Sequence, residues 1–308
     1  MTVTRTQGNN QAIKDGTITP RTCAFDFVEV SPLIGAFRRM VRGLEFDVCE
    51  LAVTTYLCAR AYGKPFTALP IFLVRGMHHG AIVRNTKAGV ETPKDLEGKR
   101  VGVNRGYTVT TGVWARGILQ DEYGVDLSRI TWVLSGDEHV AEYRPPACVV
   151  TAAESTDLAE LLISGDLAAA IGVSVDHPDV APLIPDPLEA AFGALERRGL
   201  YPINHLVVVR DELLDEHPGL AADIFSAFAA AKALYVKRLG DVPAAGLSGA
   251  DRTYKRVMDI IGDPLPYGVE PNRGMIETLI GHAVTQRILT APPPMESVFH
   301  PSTLKLTG

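Results

Sequence analysis

Apolar residues along the chain switch repeatedly between a helical and a strand-like spacing. Leu33, Ile34, Phe37, Met40 and Val41 recur on one helical face, behind Ser31 and Pro32, which read as an N-cap followed by proline in the first turn. Residues 46–53 form a short apolar run of strand type, and Thr54 and Thr55 can cap a helix running to Ala61, with Gly63 ending it. Two more strands are expected over 67–74 and 80–84. Thr92, Pro93 and Asp95 open a single helical turn that stops at Gly98 and feeds a strand at 101–103. A loop at 104–108 leads into a helix over 110–123, closed by Gly124. Strands at 130–134 and 167–173 and helices at 156–163 and 188–198 follow. Residues 203–209 make a strongly apolar strand, and three helices cover 211–239 (broken at His217 and Pro218), 250–261 and 271–289.

Helix and strand signals alternating in this way predict an α/β fold with a largely parallel sheet. The expected plan is two lobes. Residues 1–85 and 205–308 form a discontinuous first lobe, and 86–204 form an inserted second one. Two extended crossings would act as a hinge, with a ligand cleft between the lobes, because ligands in open α/β sheets sit beyond the carboxyl ends of the strands.

Composition narrows the function. With 30 basic and 36 acidic side chains, the net charge of −6 and the lack of any basic block argue against nucleic acid as a partner. No apolar run is long enough to span a bilayer, and residues 1–10 carry no apolar signal core, so the expected location is the cytoplasm, with no membrane partner. Cys23, Cys49, Cys58 and Cys148 lack metal or redox spacing and read as reduced thiols. Glu138 and His139 are adjacent rather than at ligand spacing, so no metal site is expected.

Several stretches resemble known proteins. Residues 95–103 (DLEGKRVGV) are similar to the opening of the second lobe in type II periplasmic-binding-protein folds. Residues 114–125 (WARGILQDEYGV) and 263–273 (DPLPYGVEPNR) resemble the 4,5-dihydroxyphthalate decarboxylase family, which uses that fold. Arg75 with His79, residues 202–205 (PINH) and 46–51 (FDVCEL) fit the same family. The resemblance implies cofactor-free decarboxylation of a hydroxylated aromatic diacid, a small aromatic carboxylate as ligand, and a homo-oligomer.

Of the adjacent pair His78 and His79, only one can enter a given cleft from a strand, and the family match selects His79 as proton donor. Arg75 offers a planar fork for a carboxylate. The 104–108 loop ahead of the 110–123 helix is the expected anion site. Arg105, Tyr107, Thr108 and Thr110 are its candidate donors, and Gly106 allows close backbone approach. His205 is a candidate second acid/base group beside Asn204, with a satisfied core histidine as the alternative. Glu50 would orient His79 or bind a phenol, or else cap the next helix. Asn9, Thr54 and Ser174 complete the candidate substrate-binding set. Tyr267, Asn272 and Arg273 read as a structural turn and helix start.

The alternative to an enzyme is a non-catalytic binding protein or sensor for a small anionic ligand, which would share the fold. A weaker third reading, a thiamine-pyrimidine-precursor enzyme, would need a cofactor-bearing lysine that does not stand out here.

Overall fold

The computed structural model describes residues 1–153, 156–243, 246–247 and 249–308. The chain divides into two compact units, Met1–Arg75 with Ile203–Ile276 and Pro293–Gly308, and Gly76–Pro202 with Glu277–Pro292.

In the first unit, β1 (Thr2–Val3), β2 (Val48–Ala52), β10 (Ile203–Arg210) and β3 (Phe66–Arg75) form a sheet in that order. β1 and β2 are parallel, whereas β10 runs antiparallel to both of its neighbours. All five residues of β2 are buried, as expected of a strand covered on both faces. Helices α1 (Gln11–Lys14), α2 (Ile34–Gly43), α3 (Val53–Ala61), α7 (Asp211–Glu216), α8 (Leu220–Asp241), α9 (Gly249–Ile261) and α11 (Met295–Val298) complete this unit. The buried stripe of α2 is Ala36, Phe37, Met40 and Val41, but the helix starts at Ile34 with Leu33 as its cap, not at Ser31. Likewise Ala52 caps α3, so Thr54 lies inside the first turn and does not cap it. Asp223 on α8 fastens the amino-terminal segment, accepting the N–H groups of Arg21 (2.8 Å) and Thr22 (2.6 Å) and the Thr22 hydroxyl (2.7 Å).

β3 and β10 are out of step along part of their length: His205 pairs with Val74 but Val207 pairs with Leu69. Pro70 sits in the slipped stretch and has no N–H to give to the ladder. In this stretch the Pro70 carbonyl accepts the Gly268 N–H (2.8 Å) and the Leu73 carbonyl accepts Asn9 Nδ2 (3.0 Å).

The second unit holds a six-stranded sheet in the order β7 (Val149–Thr151), β6 (Thr131–Leu134), β5 (Arg100–Val103), β8 (Ala169–Ile171), β4 (Ile82–Asn85) and β9 (Val180–Pro182). The strands from β7 to β8 are parallel, and β4 runs antiparallel to β8 and β9. α4 (Thr110–Tyr123), α5 (Leu158–Ser164) and α6 (Pro187–Arg198) accompany it. α4 ends at Gly124 in the left-handed region (φ 62°), as its sequence predicts. α10 (Arg273–Thr285) follows a single turn at Glu270–Asn272.

The division departs from the expected 1–85, 86–204 and 205–308 in three places. Ile203 and Asn204, at the start of β10, belong to the first unit. Residues 76–85 belong to the second unit because β4 pairs with β8 and β9, and residues 277–292 return to it. Gln286 explains the latter: it accepts from Arg116 Nε (2.8 Å) and donates to the Val113 carbonyl (2.9 Å), both on α4.

Candidate functional site

The carboxyl ends of β1, β2 and β3 and the start of β10 meet at one edge of the first sheet. In the β2–β10 ladder Glu50 lies opposite Val207 and Ala52 opposite His205. Glu50 and His205 are therefore diagonal neighbours on the same face, within reach of each other's side chains. Glu50 Oε1 stands 2.7 Å from His205 Nδ1, while Glu50 Oε2 accepts the Arg5 N–H at 2.9 Å. The carboxylate is fully buried, and the histidine side chain keeps 21% of its surface exposed. Since a carboxylate only accepts, Nδ1 carries the hydrogen and Nε2 faces outward, with no hydrogen-bond partner among the described residues. The edge of the His205 ring meets Phe37, with centroids 5.1 Å apart and planes at 88°, which fixes its tilt. Register shifts on both sides of His205 set it apart from the regular ladder, as bulges beside functional groups do.

Other candidates share this edge. Asn9, buried, donates through Nδ2 to the Leu73 carbonyl and, at 3.4 Å, to the Tyr267 hydroxyl. Burial drives the Tyr267 phenol well above its ordinary pKa, so it remains a neutral hydroxyl. Thr54 is fully buried in the first turn of α3, and Asn204 is buried beside His205. Arg75 ends β3 and is engaged with the 266–272 segment: it donates to Asn272 Oδ1 and, at 3.5 Å, to the Pro266 carbonyl, with its guanidinium 5.8 Å from the Phe72 ring centre. The expected carboxylate clamp is here a fastener for the turn that carries Tyr267 and Asn272. Asn272 itself donates to the carbonyls of Pro266 (2.9 Å) and Gly268 (2.7 Å).

His79 belongs to the second unit, where it opens a single turn, His79–Ala81, and does not stand at a strand end. Its ring is 2% exposed, with Nε2 3.0 Å from Glu122 Oε1, and Arg198 pairs with the same carboxylate. Burial pushes the Glu122 carboxyl up, but His79 and Arg198 outweigh it and hold it below the ordinary carboxylate value. His78 is also buried.

The 104–108 loop meets an anion supplied by the chain itself. The Glu138 carboxylate accepts the Tyr107 N–H, the Thr108 N–H (3.1 Å) and the Thr108 hydroxyl (2.6 Å). These are three of the donors expected for a ligand. Gly106 is required for this clasp, because a Cβ there would lie 2.6 Å from Glu138 Oε2. Tyr107 is buried and stacks on the fully buried Arg116, whose guanidinium carbon is 3.9 Å from the ring centre. Burial raises the Tyr107 phenol, against the pull of Arg116. Thr110 is buried at the start of α4. Arg105, exposed and in the left-handed region (φ 71°), gives its N–H to Ser135 Oγ at 2.8 Å. A separate cavity of about 600 Å³ in this unit is lined by Asn104, Ser135, Asp157, Gly172 and Ser174.

The structure thus brings Glu50 together with His205 in the first unit and pairs His79 with Glu122 in the second. Glu138 and Glu122, which settle the surroundings of the loop and of His79, carried no signal along the chain, since each meets its partners across about 30 to 76 residues. Among the described residues, no group of His, Cys, Asp and Glu could hold a metal ion, and no helix is long and apolar enough to cross a membrane.

No protein-family model matches the chain. It is 31% identical over 286 residues to the 4,5-dihydroxyphthalate decarboxylase of Comamonas testosteroni, covering 87% of this chain and 86% of that protein. It is also 36% identical over 169 residues to the 4,5-dihydroxyphthalate decarboxylase of Pseudomonas putida, covering 50% and 65%. Among solved structures it is similar to a mutant of the desulfurization enzyme DszB in complex with biphenyl-2-sulfinic acid (TM-score 0.52, 13% identity, 99% and 97% covered). The ligand-binding component of an ABC-type import system from Staphylococcus aureus (TM-score 0.51, 13% identity, 98% and 95%) and the periplasmic aliphatic sulphonate-binding protein of Escherichia coli (0.50, 12%, 96% and 87%) are similar in the same way. The fold is that of the periplasmic binding proteins, and by its sequence the chain belongs to the 4,5-dihydroxyphthalate decarboxylase family.

Proposed function

We propose that the protein decarboxylates 4,5-dihydroxyphthalate or a closely related hydroxylated aromatic diacid, with His205 as proton donor and Glu50 as its positioning partner. The observation that carries this reading is the Glu50–His205 pair: a buried carboxylate on Nδ1 and an outward Nε2. The relatives' names supply the substrate class.

The chemistry suits such a pair. In a 4,5-dihydroxyphthalate each carboxylate has a hydroxyl para to it. Protonated His205 gives its Nε2 proton to the ring carbon bearing one carboxylate, and the para hydroxyl takes up the resulting positive charge. The carbon–carboxylate bond then breaks, its electron pair returns to the ring, and carbon dioxide leaves. One proton is consumed, the product is 3,4-dihydroxybenzoate, and His205 is reprotonated from solvent. Glu50 stabilises the charged imidazole and keeps Nε2 aimed outward.

The test is to incubate the purified chain with 4,5-dihydroxyphthalate and follow carbon dioxide and 3,4-dihydroxybenzoate together. Turnover is expected, and His205→Asn should lower kcat by about two to four orders of magnitude, the usual worth of a general acid. Thermal stabilisation by the diacid without carbon dioxide release would instead identify a binding protein on this fold.

A further inference from the structure

The second unit contains a cavity of about 520 Å³ that the proposed reaction does not use. It lies among the ends of α4 and α10 and the segments 125–128 and 146–148, and all its lining residues belong to the second unit. Val125, Leu127 and Pro146 give it apolar walls, and the buried Tyr107 also lines it. Arg287 and Cys148 also line it.

Arg287 is the unusual member. It follows α10 in the left-handed region (φ 59°), a place more often taken by glycine, and its carbonyl accepts the Tyr143 hydroxyl at 3.4 Å. Its guanidinium makes no ion pair or hydrogen bond among the described residues. The acid that shares the cavity, Asp126, is occupied locally: it accepts the N–H (3.0 Å) and hydroxyl (2.6 Å) of Ser128. One uncommitted planar cation beside apolar walls matches a single carboxylate on a flat apolar body, and the nearby Asp126 charge disfavours a second negative group.

We infer that this cavity is a second ligand site for a compact aromatic monocarboxylate, held by Arg287 through the carboxylate and by Val125, Leu127 and Pro146 through the ring. The inference stands on the cavity alone and does not depend on the decarboxylase reading.

Cys148 supplies the readout. It is a partly exposed free thiol in the cavity wall, and Cys23, partly exposed in the first unit, is an internal control. The full chain is alkylated with iodoacetamide while benzoate is titrated, and peptide mass mapping follows the two thiols separately. Benzoate at ten times its dissociation constant should slow Cys148 alkylation about tenfold and leave Cys23 unchanged. Uncharged benzamide should not protect. Arg287→Gln should remove the protection while circular dichroism and the unprotected Cys148 rate stay as in the parent protein. Absence of protection at any benzoate concentration, equal slowing at Cys23, or full protection surviving in Arg287→Gln would each overturn the inference. None of these readouts involves turnover, so failure here and failure of the proposed reaction are separable.

Discussion

Glu50 and His205 sit on adjacent antiparallel strands, two positions out of direct register, and their side chains close that gap with a 2.7 Å bond from Nδ1 to Oε1. A histidine merely satisfied in a core would have both ring nitrogens engaged or enclosed. Here one nitrogen is fixed by a fully buried acid and the other is left outward. Replacing Glu50 by Gln keeps the shape but removes the anion that holds Nδ1. The expected result is a fall in kcat of about two orders of magnitude with KM changed little, and partial recovery in Glu50→Asp. A variant that loses KM and kcat equally, or loses only thermal stability, would reduce the pair to a structural contact.

His79 has the opposite profile. Its bond to Glu122 is enclosed in the second unit and shared with Arg198. His79→Ala should therefore cost about 1–3 kcal/mol of folding stability, through the polar partner left behind, as read by urea denaturation. Its kcat should stay within about tenfold of the parent, far short of the loss expected for a general acid. A deep kcat loss in a stably folded His79→Ala would return the proton-donor role to this residue.

Glu138 occupies the donors of the 107–108 loop, so its removal should uncover them. Glu138→Ala is expected to destabilise the chain by about 1–3 kcal/mol through unsatisfied buried donors. Part of that loss should be restored by sulfate, with a rise in Tm that depends on sulfate concentration and is absent in the parent protein. Equal sulfate dependence in both proteins would show that the loop is not the place where the ion acts.

Acid should loosen the amino-terminal tether. Burial raises the Asp223 carboxyl, but the Thr22 and Arg21 bonds outweigh it and hold the group below its ordinary value of 3.8. A carboxyl whose pKa is depressed on folding contributes stability that is complete above the unfolded value and disappears as pH falls through the lower folded one. Asp223→Asn should thus be less stable than the parent by about 1–3 kcal/mol at neutral pH, and the difference should narrow below pH 3.8. Denaturation midpoints across that range check the sign. A gap that widens toward acid would contradict it.

Much of the architecture was legible along the chain because periodicity and stop signals are local. The α4 helix was read from its apolar spacing and Gly124, and it runs Thr110–Tyr123. What escaped were β1, β7 and β9, two or three residues each, too short to show a period. The site was half legible. Glu50, His205 and Asn9 were singled out, but Glu50 was expected to orient His79, whereas its bond is to His205. That pairing is made by strand order, since β10 is inserted between β2 and β3. The loop at 104–108 misled for a related reason: its donors were visible, whereas the acid that meets them arrives from 30 residues further on.

The slipped pairing around Pro70 carries a wider implication. A perfect ladder would turn alternate carbonyls of β3 toward β10, and those of Pro70 and Leu73, three positions apart, would point to opposite sides. By breaking step, the strand gives its Leu73 carbonyl to the Asn9 loop at one end of the chain and its Pro70 carbonyl to Gly268 near the other. Two segments more than 250 residues apart in sequence are thus indexed to the same four residues of one strand. A regular pairing here would turn one of these two carbonyls back toward β10 and separate the reference points. At this edge, regularity of the scaffold and definition of its loops are competing demands, and the chain has settled the conflict in favour of the loops.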